Sequence, residues 1–592
     1  MLKRFIYPLF LLAIAYLLFS SHDAKIIIAG VAIFLIGMVF MEDGFKLFSG
    51  GMLERVLEKS TNSVPKAIGT GFLATAIIQS SSLTSIIVIS FLSAEIISLS
   101  GAIGIVFGSN IGTTVTAWIV SSFGVKIHIA TFAMPMIIFG VIFRFNKQKN
   151  YQGLGNILAG LGFVFLGIGY MKEGFETLES AFNLSQFAME GYLGILVYIL
   201  LGATATVLIQ SSSATMALII TALVTNQIVY LNALELAIGA NIGTTVTAII
   251  GSLASNSNGK RLAIAHFIFN TVTAVIAIVF LYLLADLVDF IADYIAIADD
   301  DYAMKLALFH TIFNLIGVLV VSPFIGIMVV YLKGLFNEDA KEVTSAKYLD
   351  NVVIEVPEAA ISAIKKEVEH LYNNATDILF HALSLHKKSF IGVDEDKIPM
   401  IVESSVERIS TNIDEFYEKK IKNLYSEVIH YATISQENMS EDDKNIVYSL
   451  KIASREIVEA VKNIREIQKN INRYFESKNT AIKDEYNYLR EEIVKTLEVM
   501  YLIQNSEDDF GVFAKITLLQ DNIDKLDIIR NTRIDKLIRN NDITPKMATS
   551  LINDASFAYR ISKNMIQVAK VLWIQDKDIQ DLGEKNEDAR TI

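Results

Sequence analysis

Thr75-Ala-Ile-Ile-Gln79-Ser80-Ser81-Ser82-Leu-Thr84 recurs 131 residues later as Thr206-Val-Leu-Ile-Gln210-Ser211-Ser212-Ser213-Ala-Thr215. Gly108-Ser-Asn110-Ile-Gly112-Thr113-Thr114-Val-Thr116-Ala recurs at the same distance as Gly239-Ala-Asn241-Ile-Gly243-Thr244-Thr245-Val-Thr247-Ala. Upstream, Ala29-Gly30 through Met41 and Gly44-Phe45 match Ala159-Gly160 through Met171 and Gly174-Phe175 at a distance of 130. Three blocks in one order at nearly one offset mark a duplicated unit of about 130 residues.

The duplicated blocks lie in apolar sequence. Of 592 residues, 52% are hydrophobic, and the mean hydropathy of +0.44 is far above what a soluble chain of this length needs. Charges are sparse before about Leu335 and occur in nearly every turn after it. Phe5–Phe19, Ile26–Met41, Ile127–Phe143, Leu154–Met171, Tyr192–Ile209, Leu262–Leu284 and Met304–Leu332 approach the roughly 20 helical residues that cross a bilayer core. The first follows Met1-Leu2-Lys3-Arg4 in the manner of a signal peptide. A second span comes at once and the topology closes with the first retained, so it reads as a membrane segment. Ala67–Leu99, Gly101–Val120, Ser211–Tyr230 and Leu231–Ile250 are too polar for lipid-facing helices and too apolar for loops. The net charge of -12 and the lack of a basic stripe argue against nucleic acid as a partner. The absence of cysteine excludes disulfides, thiolate metal sites and a Cys nucleophile.

Loop charges give the two copies opposite orientations. The loop after Met41 holds Lys46, Arg55, Lys59 and Lys66, whereas its counterpart after Met171 holds Lys172 against Glu173, Glu176, Glu179 and Glu190. Cytoplasmic loops are enriched in Lys and Arg, so equivalent loops of opposite character belong on opposite sides. Arg144, Lys147, Lys149 and Lys260-Arg261 then read as inside, Asp286, Asp289, Asp293 and Asp299–Asp301 as outside, and Lys333 brings the chain back inside. This is an inverted-topology repeat, a plan that places substrate near the membrane midplane between the repeats.

Polar runs in such surroundings need partners, because an uncompensated polar group in hydrocarbon costs several kcal/mol. Serine and threonine hydroxyls donate and accept, and Gln and Asn carry both an acceptor oxygen and a donor amide. A serine run after a helical stretch is where a hairpin can turn, and it exposes backbone N–H groups that suit an anion. Hydroxyl, carbonyl and amide oxygens suit a hard cation such as sodium. Gly108, Gly112, Gly239 and Gly243 are expected to loosen the helix around Asn110 and Asn241 and free carbonyls there. The competing explanation is close helix packing through small residues. It suffices for one Ser-Ser-Ser, but two copies, each with its own Asn-Ile-Gly-Thr-Thr block, favour ligand binding.

The paired Gln-Ser-Ser-Ser motifs and the order of the blocks resemble the type II sodium/phosphate cotransporter family, over about residues 25–335. The resemblance implies an all-α polytopic membrane transporter with inverted-topology repeats and re-entrant hairpins. It further implies sodium-driven import of inorganic phosphate by alternating access, with sodium as the co-transported ion and no cofactor. The family's substrate and sodium sites map onto Gln79, Ser80, Ser81, Ser82, Gln210, Ser211, Ser212 and Ser213. Thr84, Thr215, Asn110, Thr113, Thr114, Asn241, Thr244 and Thr245 adjoin them. The chain divides into an N-terminal membrane segment at 1–24, a first transport repeat at 25–143, and a second with following helices at 144–335. The expected setting is the inner (plasma) membrane as a multi-pass protein in the lipid bilayer, with a homo-oligomer left open.

His266-Phe-Ile-Phe-Asn270 is echoed by His310-Thr-Ile-Phe-Asn314. Intramembrane His and Asn can relay protons, but they more often serve as interhelical hydrogen-bond partners, and His128 reads the same way. After Val343, apolar residues recur at helical spacing between charges, as in Ile361-Ser-Ala-Ile364 and Val368-Glu-His-Leu371. Breaks near Gly392–Pro399, Ser440–Asp443, Ser506–Asp509 and Asn540–Pro545 leave about six helices. Residues 350–580 resemble the PhoU domain, a helical bundle fused to many bacterial cotransporters of this family, here expected in the cytoplasm. Where that family carries paired acids, this chain has Arg455 and Glu459 before Asn463-Ile464, and Ser556 and Arg560 before Asn564-Met565. No metal ligands are therefore assigned.

No phosphate-binding loop, nucleophile elbow or His-Glu-x-x-His occurs, so the chain reads as a carrier rather than an enzyme. The alternatives are a sodium-coupled carrier for a dicarboxylate or amino acid, and a phosphate sensor without net transport.

Overall fold

The computed structural model describes residues 18, 21–49, 61, 63–124, 130–181, 191–252, 255–335, 345–350, 354, 356–390, 392–405, 409, 412–475, 477–506 and 509–574. Apart from Leu18, the segment Phe5–Phe19 lies outside the described residues, as do Arg55, Lys59, Glu190 and His128. The chain forms two units, one of 1–338 with 350–353, the other of 339–349 with 354–592. Among the described residues every regular element is helical, and the chain is an all-α polytopic membrane protein.

The first unit runs α1 (His22–Ser49), α2 (Val64–Ile78), α3 (Ser81–Ser93), α4 (Leu99–Ile119), α5 (Ala130–Arg144), α6 (Lys149–Ala181), α7 (Gly191–Ile209), α8 (Ser212–Val224), α9 (Tyr230–Ser252), α10 (Ser257–Val279), α11 (Leu281–Tyr294), α12 (Tyr302–Val321) and α13 (Ile325–Leu335). Helices α3 and α8, and the starts of α4 and α9, fall at the repeat distance of 131. Stretches within α1, α4, α6, α7, α9, α10 and α12–α13 are long and apolar enough to cross a membrane, whereas α2, α3, α5 and α8 are shorter.

Glycine lets these helices meet backbone to backbone. A Cβ on Gly30 would fall 2.8 Å from the Gly167 carbonyl oxygen, one on Gly37 2.6 Å from that of Gly160, and one on Gly44 2.7 Å from that of Gly153. Numbers rise along α1 as they fall along α6, so the two helices, which are repeat equivalents, pack antiparallel. Within the repeats, Gly108 sits against the Ile68 carbonyl and Gly239 against that of Ile199, an equivalent pair of contacts. The expectation that these glycines loosen a helix is therefore corrected. Helices α4 and α9 run unbroken through Gly108–Gly112 and Gly239–Gly243, and the missing side chains admit α2 and α7 at close range.

Two expected spans are interrupted. Leu262–Leu284 breaks at Phe280, after which α11 buries Leu281, Leu284, Val288 and Ala292 on one face. Met304–Leu332 is cut by a 3-10 turn at Ser322–Phe324, where Pro323 removes a backbone donor.

The second unit contains α14 (Pro357–Ala382), α15 (Asn423–Ile434), α16 (Glu441–Tyr474), α17 (Thr480–Gln504), α18 (Asp509–Arg539) and α19 (Pro545–Trp573), with shorter pieces between α14 and α15. Helix α16 packs against α14 and α19, and α19 also against α17 and α18. Ser440 and Asp443 start α16 with a capping box, each side chain accepting from the other's backbone N–H. The break at 475–479 carries no Gly or Pro; there Asn479 caps α17 by accepting from the Ile482 N–H at 3.2 Å.

Candidate functional site: two glutamine-serine turns joined by a threonine

Each Gln-Ser-Ser-Ser motif is a two-residue turn between two helices, α2 and α3 in the first repeat and α7 and α8 in the second. Gln79 closes α2 in the left-handed conformation, φ 60°, and Gln210 closes α7 with the same φ. A non-glycine residue held there costs about 1 kcal/mol or more, and its repetition at equivalent positions marks a required geometry. Ser80 and Ser211 then turn extended and cap the next helix, accepting from Leu83 N and Ala214 N, both at 3.2 Å. The caps leave the earliest N–H groups of α3 and α8 outside the helical ladder.

Threonines brace both turns identically. Thr75 Oγ1 donates to Thr84 Oγ1 and Thr206 Oγ1 to Thr215 Oγ1, each at 3.1 Å. Thr84 and Thr215 in turn donate to the carbonyls of Ser80 and Ser211. In the second motif block, Thr113, Thr114, Thr244 and Thr245 donate to carbonyls of their own helices three residues back.

The turns meet through a residue absent from the predicted set. Thr116 Oγ1 donates to Gln79 Oε1 at 2.8 Å and lies 3.3 Å from Ser213 Oγ, so one hydroxyl ties the first turn to the second. Its signal in the sequence was its recurrence as Thr247. That residue behaves differently, donating to the Thr244 carbonyl at 2.8 Å. Exposure follows the same asymmetry. Gln79 is 5% exposed and Ser213 7%, while Gln210 and Ser82 are exposed. Ser80, Ser81 and Ser211 are half-buried and Ser212 is buried.

A second junction gathers the asparagines. His266 Nε2 lies 3.3 Å from Asn110 Oδ1 and 3.1 Å from Asn270 Nδ2. Asn270 Nδ2 also lies 3.1 Å from the Asn241 carbonyl, and Asn241 Nδ2 donates to Asn314 Oδ1 at 3.0 Å. The His-Asn echo thus connects the asparagines of both repeats as an interhelical hydrogen-bond network. His310 stands apart, stacked at a tilt on Phe313 with its Nδ1 buried and unpartnered.

Residues 33–173 and 186–293 match the family described as Na+/Pi-cotransporter. The match covers most of the membrane-spanning unit. The chain is 28% identical over 346 residues to a protein of Escherichia coli (strain K12) named as inorganic phosphate export protein YjbB, which covers 58% of this chain. It is 24% identical over 347 residues to the Salmonella typhimurium protein of the same name. A Bacillus subtilis (strain 168) protein named as uncharacterized, YqeW, is 26% identical over 333 residues, 55% of this chain and 89% of that protein. The chain spans about three-fifths of the length of the YjbB proteins, 61%. No solved structure matches it.

Ten of the predicted residues fall into two groups. Thr84, Thr113, Thr114, Thr215, Thr244 and Thr245 direct their hydroxyl protons to the protein itself. Ser81, Ser82, Gln210 and Ser212 surround the turns with hydroxyl and amide groups. None of these residues is charged. Among the described residues no three His, Asp or Glu side chains are placed to share a metal ion.

Proposed function

We propose that the chain is a sodium-coupled phosphate carrier that works by alternating access, with phosphate and sodium held between the two Gln-Ser-Ser-Ser turns. The observation that carries this reading is the junction of the turns: two identical motifs, far apart in sequence, share one hydroxyl of Thr116. The match to the Na+/Pi-cotransporter family supports the ion pair, sodium with phosphate. The antiparallel packing of α1 on its repeat equivalent α6 supports the inverted arrangement of the repeats. Helices α2, α3, α7 and α8 are 15, 13, 19 and 13 residues long. Three of the four fall short of a full crossing, which favours re-entrant hairpins.

In this reading residues 25–143 and 144–335 are the transport repeats and 350–580 a cytoplasmic PhoU-like regulatory domain. Phosphate enters the cell down the sodium gradient. Export is the second reading, favoured by the names of the YjbB relatives. A carrier cycles in the direction its gradients dictate, so one preparation addresses both. Labelled phosphate is added outside proteoliposomes, or preloaded inside them, with sodium outside, with sodium inside, or with potassium replacing sodium. Sodium-driven uptake is expected, with sulfate and dicarboxylates competing poorly. Equal uptake in potassium alone would remove sodium coupling. Efflux that is driven by sodium while uptake is not would make the chain an exporter.

A further inference from the structure

The two repeats carry the same residues, yet they do not hold the same bonds. Thr116, 3% exposed, bridges Gln79 of its own repeat and Ser213 of the other. Exchanging each residue for its repeat equivalent, 131 residues later for Thr116 and Gln79 and 131 earlier for Ser213, turns this trio into Thr247, Gln210 and Ser82. That second trio is open: Thr247 is turned back onto the Thr244 carbonyl, and both Gln210 and Ser82 are exposed. The chemistry needed to close it is nevertheless present in full. Thr247 has a donor for Gln210 Oε1 and a lone pair for Ser82 Oγ, the roles Thr116 fills now.

We propose that Thr116 and Thr247 are paired positioning residues that exchange, each closing its own trio in one of the two states of the carrier. The structure is the state in which the Thr116 bridge is closed. In the opposite state Thr116 releases Gln79 and Ser213, and Thr247 leaves its own helix to bridge Gln210 and Ser82. The inference rests on the carrier reading above and goes beyond it, naming the bonds that distinguish the two states. Its physical basis is that halves built on the same motifs can adopt each other's conformation at little difference in energy, so a single bond made in one state only can set the balance.

Thiol reactivity tests it directly, because the chain has no cysteine. Ser212→Cys reports the buried second turn and Ser81→Cys the half-buried first one, and neither side chain takes part in the bridge. Each reporter is combined with Thr116→Val, Thr247→Val or Thr116→Ser in the full-length protein, purified and reconstituted. Removing the Thr116 hydroxyl should shift the ratio of states roughly five-fold, speeding the labelling of Ser212→Cys and slowing that of Ser81→Cys. Thr247→Val should leave the Ser212→Cys rate unchanged or lower it, since it removes a bond of the other state only. Thr116→Ser, which keeps the hydroxyl, should restore the parent rates. Should Thr116→Val fail to fold, Gln79→Leu removes the same bond and should move the reporters in the same direction. The proposal is overturned if Thr116→Val leaves both reporters unmoved, or if Thr247→Val speeds Ser212→Cys as Thr116→Val does. Sodium-driven phosphate uptake is measured in parallel on the cysteine-free parent, since Ser81 and Ser212 belong to the proposed binding site. A cysteine-free parent without uptake counts against the carrier reading, whereas reporters that stay unmoved while that parent is active count against the exchange alone.

Discussion

Gly108→Ala adds one carbon where α4 meets α2. That Cβ would lie 1.9 Å from the Ile68 carbonyl oxygen, against 3.4 Å for an ordinary contact, so the two backbones must part by about 1.5 Å. The carbonyl oxygen belongs to one helix backbone and the Cβ is fixed by the other, so no side-chain rotation relieves the clash. Overpacking of this kind costs roughly 1–3 kcal/mol. The same pair of helices sets the 2.8 Å bond from Thr116 to Gln79, 8 residues along α4 from Gly108. Parting the helices by even half the required distance takes that bond beyond the limit of a useful hydrogen bond, forfeiting about 1 kcal/mol more. Gly108→Ala should therefore lower the unfolding temperature by a few degrees and reduce kcat/KM for sodium-driven phosphate uptake roughly 10-fold or more. Gly69→Ala on α2 is the control: nothing lies within 4 Å of its added carbon, and helix propensity favours alanine by up to about 1 kcal/mol. That variant should be at least as stable as the parent and transport normally. Parental uptake and melting in Gly108→Ala would refute the close approach of α2 and α4 and the site built on it.

Ser81→Ala or Ser212→Ala removes a hydroxyl from a turn without adding bulk. Each should weaken phosphate or sodium affinity about 10- to 150-fold, from about 1.5–3 kcal/mol per bond to a charged ligand, as titrated by uptake kinetics. The repeat orientation predicts that an impermeant thiol reagent on intact cells labels Ser180→Cys and spares Ser60→Cys; labelling of both from one side would make the repeats parallel. In the second unit, Arg490 is 2% exposed and donates to the carbonyls of Leu383, Ser384, Val402 and Ser405, which end two helices. Arg490→Met should destabilise this unit by about 3 kcal/mol, read as faster hydrogen exchange in the last turn of α14. Asp554 is buried with Tyr486 and Asn470 donating to it, and burial holds its pKa above the usual carboxylate range. A raised folded-state pKa gives stability at low pH that is lost as pH rises through it. Asp554→Asn should thus flatten the pH dependence of exchange in α17 and α19, with slower exchange than the parent at neutral pH.

What the sequence reveals is what the duplication repeats. The offset of 131 marks both turns, and the serine run is legible as a turn because serine is a natural N-cap; the left-handed Gln79 and Gln210 are not, since Gln has no preference for that conformation. The role of Gly108 and Gly239 is not legible in the same way. A glycine that loosens a helix and one that admits a neighbour look alike until the neighbour is known. Their matched partners Gly71 and Gly202, also 131 apart, were the available clue. The break at Phe280 has no sequence mark at all, since neither Gly nor Pro stands there. Thr116 is the instructive case. Sequence presents it and Thr247 as equals, and only a particular conformation makes one of them a bridge.

The absence of fixed charge around the turns bears on coupling. A single hydrogen bond to a charged group contributes about 1.5–3 kcal/mol, and the turns offer several, from hydroxyls and from helix-start N–H groups. No cationic side chain among the site residues balances the anion, so in the carrier reading that balance falls to the ion carried with it. A unit charge about 4 Å away contributes roughly 4 kcal/mol at an effective dielectric constant near 20, more than any one hydroxyl. Sodium would then be a condition for phosphate binding rather than an added driving force. The order of effects follows: omitting sodium should weaken phosphate binding more than Ser81→Ala or Ser212→Ala does, and an Arg or Lys placed beside a turn should uncouple the two ions. Equilibrium binding of labelled phosphate to the purified protein, with sodium or potassium, decides it. If a serine variant loses more affinity than the parent loses without sodium, charge balance by the co-transported ion is the wrong account of how this site works.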